Sequence, residues 1–349
     1  MMRSNTTIAI PPGATIREQL ENRGMTQKDF AHRMDMSEKH ISNLINGKVE
    51  LTQETALRLE SVLGVPAKFW NGLEALYRER LARVKDELAM EDDVMLVSNF
   101  PYAKMVSLGW IPATQKKHEK VKNLRAFFEV AHLGILDDLK IPGIAYRKNG
   151  GNERSNYSLA VWAQKARLEA RNISVKEINI AKLKENIDAI RALTVLDSEN
   201  FCARLRELLA ECGVAIVFLP HIDGSFLHGA SFLDGNRIVL GLTVRGRDAD
   251  RFWFSLFHEL YHIIAGDISG LTYNSEERER KADEFARDTL IYPEDYAMFL
   301  NKGNFSKQNI LSFAKEINVA AGIVLGRLQK ENYVPYNRYH ELKIQYQIV

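Results

Sequence analysis

Residues 254–267 read FSLFHELYHIIAGD. His258 and His262 stand four apart, Glu259 follows the first, and most of the rest is apolar. On a helix, positions i and i+4 lie one above the other on one face. Both imidazoles can then turn to a single ion, and the carboxylate of Glu259 can reach a water held by that ion. This is the logic of H-E-x-x-H: two imidazoles hold zinc and the glutamate takes the proton from water, whose pKa the metal lowers to about 7. The plain alternative is a buried helix that carries the string by chance. Burying His, Glu and His among Phe, Leu, Tyr and Ile without partners is costly, and a metal supplies two partners at once.

Such a zinc needs a third protein ligand, with the fourth position left open. Residues 274–293, NSEERERKADEFARDTLIYP, carry Ala282, Phe285, Ala286 and Thr289 at helical spacing. These would face the core, and Glu279 falls on the same inward side. Glu276 and Glu277 compete for the role, and a solvated acidic face is the plain reading of all three.

The other informative stretch is residues 25–65, MTQKDFAHRMDMSEKHISNLINGKVELTQETALRLESVLGV. A first helix over 16–22 ends at Gly24. Thr26 to Asp29 form a capping box that starts a helix over 27–34. Ser37 caps a third over 38–45, stopped by Asn46-Gly47, and Thr52 caps a fourth that runs to Leu63 and ends at Gly64. A long helix follows Pro66 to about Leu88. The pair around Met34-Asp35-Met36 has the form of a helix-turn-helix, with small Ala31 where the helices approach. Ile41 and Leu44 would pack inward. Ser37, Glu38, Lys39, His40, Ser42 and Asn43 are left at the start and outer side of the third helix, where such folds reach base edges. Asn43 suits adenine, Lys39 guanine and Glu38 cytosine. Gln27, at a helix N-terminus, suits a phosphate, and Lys48 a second. The plain alternative is a helical bundle with a solvated polar face.

The chain has 349 residues, enough for two or three domains of about 100–200 residues each. Its net charge of +2 excludes bulk attraction to a polyanion, so any nucleic-acid surface must be local. Hydrophobic residues at 46% and charged residues at 26% are ordinary for a globular protein. Two cysteines, Cys202 and Cys212, suggest reduced thiols. With no signal-like start and no apolar run of about 18 residues, a cytoplasmic protein without a membrane partner is expected. The reading is mostly α in three parts: a helix-turn-helix domain over 10–90, a helical linking region over 91–200, and an α+β domain with a small sheet over 201–335. Glu91-Asp92-Asp93 marks the first boundary. In the linking region, Lys116, Lys117, Lys120, Lys122 and Arg125 form either a solvated face or a nucleic-acid contact, and Phe127 and Trp162 are core. The last part has a helix over 201–212, strands at 214–219 and within 229–233 and 237–242, and helices over 252–265 and 276–290. Pro293 ends the latter, and helices near 309–317 and 320–331 follow.

The stretch GVAIVFLP…GASFL…RIVL…DRFWFSLFHELYHII…ERKADEFARDTLIYP resembles the ImmA/IrrE family of zinc metallopeptidases over about residues 201–330. That family joins H-E-x-x-H to a later E-x-x-A-x-x-F-A, met here by Glu279, Ala282, Phe285 and Ala286. The resemblance implies a zincin-like fold, Zn2+ held by His258, His262 and Glu279, and Glu259 as general base. Tyr261 departs from it, since many relatives carry glycine there. His221, His228, Tyr261 and His340 are oxyanion-stabilising candidates by residue type, against a packing or surface role for each. Residues 25–65 are similar to the Cro/repressor (XRE) helix-turn-helix family. With their flanks, over about 10–85, they resemble HigA-type antitoxins, in which a tryptophan-bearing helix follows a five-helix, lambda-repressor-like core; Trp70 fits. Together these imply a DNA-binding transcriptional regulator carrying a zinc endopeptidase that cleaves a repressor, a partner or itself. Its expected partners are a double-stranded operator, a protein substrate (repressor, antitoxin or toxin) and a second copy of the chain. The alternative is an antitoxin or autorepressor whose peptidase fold only senses or binds; a housekeeping peptidase ranks third.

Overall fold

A computed structural model describes residues 2–4, 6–137, 153–223, 228–243, 248–268 and 276–346. The chain forms two compact units, Met1–Met95 and Leu96–Val349.

The first unit opens with a hairpin that the sequence did not announce, β1 (Met2–Arg3) against β2 (Ile8–Ala9). Its strands are too short to show a period; polar side chains hold it instead, Thr6 and Thr7 donating to Glu87 at 2.6 and 3.1 Å. Five helices follow: α1 (Gly13–Asn22), α2 (Gln27–Arg33), α3 (Glu38–Ile45), α4 (Gln53–Leu63) and α5 (Ala67–Leu96). Thr26, Ser37 and Thr52 cap α2, α3 and α4 through their hydroxyls, and Gly64 ends α4 at φ 69°. Ile16, Phe30, Ile41, Leu59 and Trp70 are fully buried in one core. Helix α5 runs through Glu91-Asp92-Asp93 rather than stopping near Leu88, because no proline or late glycine interrupts it.

The second unit begins with short helices α6 (Tyr102–Ser107) and α7 (Lys117–Phe128), then α8 (Glu153–Ala170), α9 (Ile180–Glu185), α10 (Ile187–Ala192) and α11 (Ser198–Ala210). One helical period over 177–193 is split at Asn186, so α9 and α10 are separate. Strands β3 (Val214–Phe218), β4 (Gly229–Asp234) and β5 (Arg237–Leu242) form a sheet in the order β3-β5-β4, with β3 parallel and β4 antiparallel to β5. Helices α12 (Ala249–Ala265), α13 (Glu276–Leu290), α14 (Pro293–Asn301), α15 (Lys307–Glu316) and α16 (Ala321–Lys330) complete it. Pro293 does more than stop α13: it is the first residue of α14, a helix the sequence reading passed over.

The region between 91 and 200 is not a third body. Trp162 of α8, fully buried, lies where any side chain at Gly241 would sit, 2.6 Å from its β-carbon position, so α8 packs directly on the sheet. Successive strand residues face opposite ways. Ile238, Leu240 and Leu242 therefore point to the other face, into the core formed with Phe252, Leu256, Phe257 and Leu260 of α12. Covered on both sides, β3 reads VAIVF with no polar alternation. Among the described residues no single helix is long and apolar enough to cross a membrane.

Candidate metal centre and nucleic-acid interface

Helix α12 ends at Gly266, whose φ of 78° lets the chain turn back. Helix α13 returns along it, and its fully buried Ala282 and Ala286 permit close approach. One turn before Ala282 and Asp283, Glu279 is thereby carried to the histidine pair. The Nε2 atoms of His258 and His262 lie 3.2 Å apart. Glu279 brings one oxygen to 3.3 Å from His258 Nε2 and the other to 3.5 Å from His262 Nε2. Donors each about 2.0–2.2 Å from a tetrahedrally held zinc lie about 3.3–3.6 Å from one another, so this donor set fits such an ion. The three donors all lie within 4.8 Å of one another.

The other ring nitrogens are engaged as a metal site requires. His258 Nδ1 meets Asp283 at 2.9 Å and His262 Nδ1 meets Asp267 at 3.3 Å. Placing the ring protons on Nδ1 leaves both Nε2 lone pairs converging on one point. Burial opposes a charged His258, but Asp283, Glu279 and Glu259 outweigh it and push its pKa up to about 9. Glu259, nine-tenths buried, accepts a hydrogen bond from Ser231 of β4 at 2.8 Å. Gly229 makes room for it, since a β-carbon there would sit 2.9 Å from Glu259 Cγ.

Of the three acidic candidates, Glu277 turns outward to Lys281 at 2.8 Å and Glu276 is exposed; only Glu279 joins the histidines. Sequence reasoning missed Asp283, Asp267 and Ser231. Asp283 had a signal, four residues after Glu279 on the same helix. Ser231 had none, because it arrives from a separate strand. Among the oxyanion candidates, His228 lines the cleft that also holds Glu279. Tyr261 packs against Phe285 of α13 with ring centres 5.6 Å apart, which answers its departure as interhelical filling. His340 is exposed on a short turn, and His221 lies 3.9 Å from Asp223.

In the first unit, Ile41, Leu44 and Ile45 bury the inner side of α3. Gln27, Ser37, Glu38, Lys39 and Lys48 are exposed, and His40, Ser42 and Asn43 are half-buried beside them. Ser37 spends its hydroxyl on the cap, accepting from the His40 amide at 3.2 Å. The turn between α2 and α3 puts Asp35 at φ 54°, a conformation aspartate tolerates better than bulky residues. Arg58 of α4, unmarked by any local pattern, donates to the carbonyls of Met34 and Asp35, both at 3.0 Å, and fixes that turn. The lysine-rich stretch of α7 is tied locally: Lys116 meets Glu119 at 2.8 Å, Lys120 lies over the Tyr102 ring, and Arg125 is buried.

A family model described as helix-turn-helix matches residues 16–70. YddM, an uncharacterized HTH-type transcriptional regulator of Escherichia coli (strain K12), is 33% identical over 63 residues, which are 18% of this chain and 67% of that protein. A solved structure of an addiction module antidote protein of a HigA family from Coxiella burnetii is 27% identical, covering 24% of this chain and 92% of that one, with a TM-score of 0.22.

Proposed function

Because the chain belongs, through residues 16–70, to the helix-turn-helix family, we propose that it is a DNA-binding transcriptional regulator that carries its own zinc endopeptidase of ImmA/IrrE type. The observation that supports the enzymatic half is the convergence of His258, His262 and Glu279 on one point beside Glu259. These three side chains would hold the ion. When bound, zinc acts as a Lewis acid that makes water nucleophilic near neutral pH. Glu259, aligned by Ser231, takes the proton from the attacking water and returns it to the leaving amine. Asp283 and Asp267 keep the imidazoles turned inward. The regulatory half rests on the outward residues of α3, with Lys39 and Asn43 reading bases and Gln27 and Lys48 touching phosphates. A homodimer on paired half-sites suits such a reader. The substrate is a protein of the same regulatory circuit: a repressor, a toxin or antitoxin partner, or the first unit of this chain.

Replacing Glu259 by Gln tests the enzymatic half. Incubation of the zinc-loaded chain with its own first unit and with the product of the neighbouring gene should give cleavage that Glu259→Gln abolishes, while zinc and operator binding persist. Identical behaviour of both proteins would leave the antitoxin reading, with the second unit as a sensing or partner-binding module. Lys39→Ala and Asn43→Ala should each weaken operator binding by about 1–3 kcal/mol per lost base contact. Unchanged affinity in both would remove α3 as the reader.

A further inference from the structure

A cleft of about 1280 Å³ leads away from the histidine pair between α12, α13 and α16. Glu279 and Asp283 line it where it adjoins the metal centre; Phe254, Leu290, Ile291 and Ile323 give it an apolar floor further along. Most charges on its walls are closed on one another. Lys343 meets Asp250 at 3.0 Å, Arg327 meets Glu331 at 3.1 Å, and Arg280 meets Glu284 at 2.5 Å. Two cations differ. Lys330 is exposed and rests its ammonium 4.9 Å from the centre of the Phe254 ring, with no carboxylate in ion-pair range among the described residues. Arg251, one turn before Phe254 on the same face of α12, reaches among the described residues only Asp248 at 3.6 Å and leaves its side chain 55% exposed.

Resting on the peptidase reading, we infer that this cleft selects the substrate: it takes a peptide segment with a large apolar side chain over Phe254 and an adjacent carboxylate between Arg251 and Lys330. The spacing follows from helix geometry. Phe254 is four residues and Arg251 seven residues before His258, about 6 and 10 Å along the axis at 1.5 Å per residue. An extended peptide rises about 3.3 Å per residue, so these distances correspond to about two and three residues from the bond to be broken. The floor sets the apolar preference by burial. The two cations set the acidic preference, with a salt dependence expected of exposed charges.

The test separates binding from catalysis. A fluorescent random heptapeptide library is panned on full-length Glu259→Gln protein loaded with zinc, and on the same protein carrying Arg251→Glu and Lys330→Glu as well. Peptides kept by the first protein should be enriched in Asp or Glu beside a large apolar residue. They should bind about tenfold more tightly than matched peptides with Lys in place of the acid. The charge-reversed protein should invert that preference. Equal retention of acidic and basic peptides, or a preference that the reversal does not move, overturns the assignment. Cleavage by the wild-type chain, measured separately, decides the peptidase reading: cleavage without acidic selection sinks only the cleft assignment. Acidic selection without cleavage sinks only the enzyme.

Discussion

Gly229 shows how much of the candidate centre depends on a side chain that is missing. A β-carbon there would lie 2.9 Å from Glu259 Cγ and 2.8 Å from Leu242 Cδ2, closer than such atoms normally come. Gly229→Ala must therefore push Glu259 off Ser231 or open the strand pair. We expect a loss of about 1–3 kcal/mol in unfolding free energy, the usual cost of overpacking. Any peptidase activity should fall steeply while zinc stays bound, as metal analysis of the purified variant would check. Asp283 and Asp267 act on the opposite property. Converting either to Ala removes the acceptor that turns an imidazole inward, and zinc affinity should drop about 10–100-fold in a chelator competition. The histidine pair was legible because one helical period puts residues four apart on one face, whereas spacing left Glu279 among three acids and only the family resemblance singled it out. Their supporting partners were less so: Ser231 comes from β4, and Asp267 from the turn after α12, where no period operates.

Two elements depend on single side chains that no pattern announced. The helix-turn-helix was read correctly from its caps, since Thr26, Ser37 and Thr52 are local signals that need no tertiary context. The tilt between α2 and α3 is another matter. It is held by Arg58, which reaches back from α4 to two carbonyls in the turn and also pairs with Glu54 at 2.7 Å. Arg58→Ala should lower stability by about 1–2 kcal/mol, a modest value because the guanidinium is one-third exposed. Operator affinity should fall with it although Arg58 touches no base in this reading. A gel-shift series against thermal melting would separate the two effects; an unchanged melting temperature would show that the clamp carries no load. In the second unit Trp162 has the corresponding role. It is fully buried and seated on Gly241, so Trp162→Ala should cost about 3–5 kcal/mol in denaturant unfolding. The sequence marked Trp162 as core, but a helix and a strand separated by some 80 residues give no local sign that they meet.

At the scale of the molecule, the division into Met1–Met95 and Leu96–Val349 makes a prediction about cooperativity. Each unit buries its own core: Ile16, Phe30, Ile41, Leu59 and Trp70 in the first, the sheet with α12 and α16 in the second. Among the described residues the two cores share no member, so separate melting of the two units is the expectation. A ligand that binds only the native state of one unit raises only that unit's stability, by about 2.7 kcal/mol at one hundred times its dissociation constant. Calorimetry of the full chain should accordingly resolve two transitions. Zinc should move the one that belongs to the larger unit, and a chelator should reverse the shift. Operator DNA should move the other. His258→Ala should abolish the zinc response and leave the DNA response in place, because its imidazole lies in the second unit alone. A single transition raised by both ligands would mean that the units are energetically coupled, and that occupancy of the metal centre is communicated to the reading helix without any bond being cut.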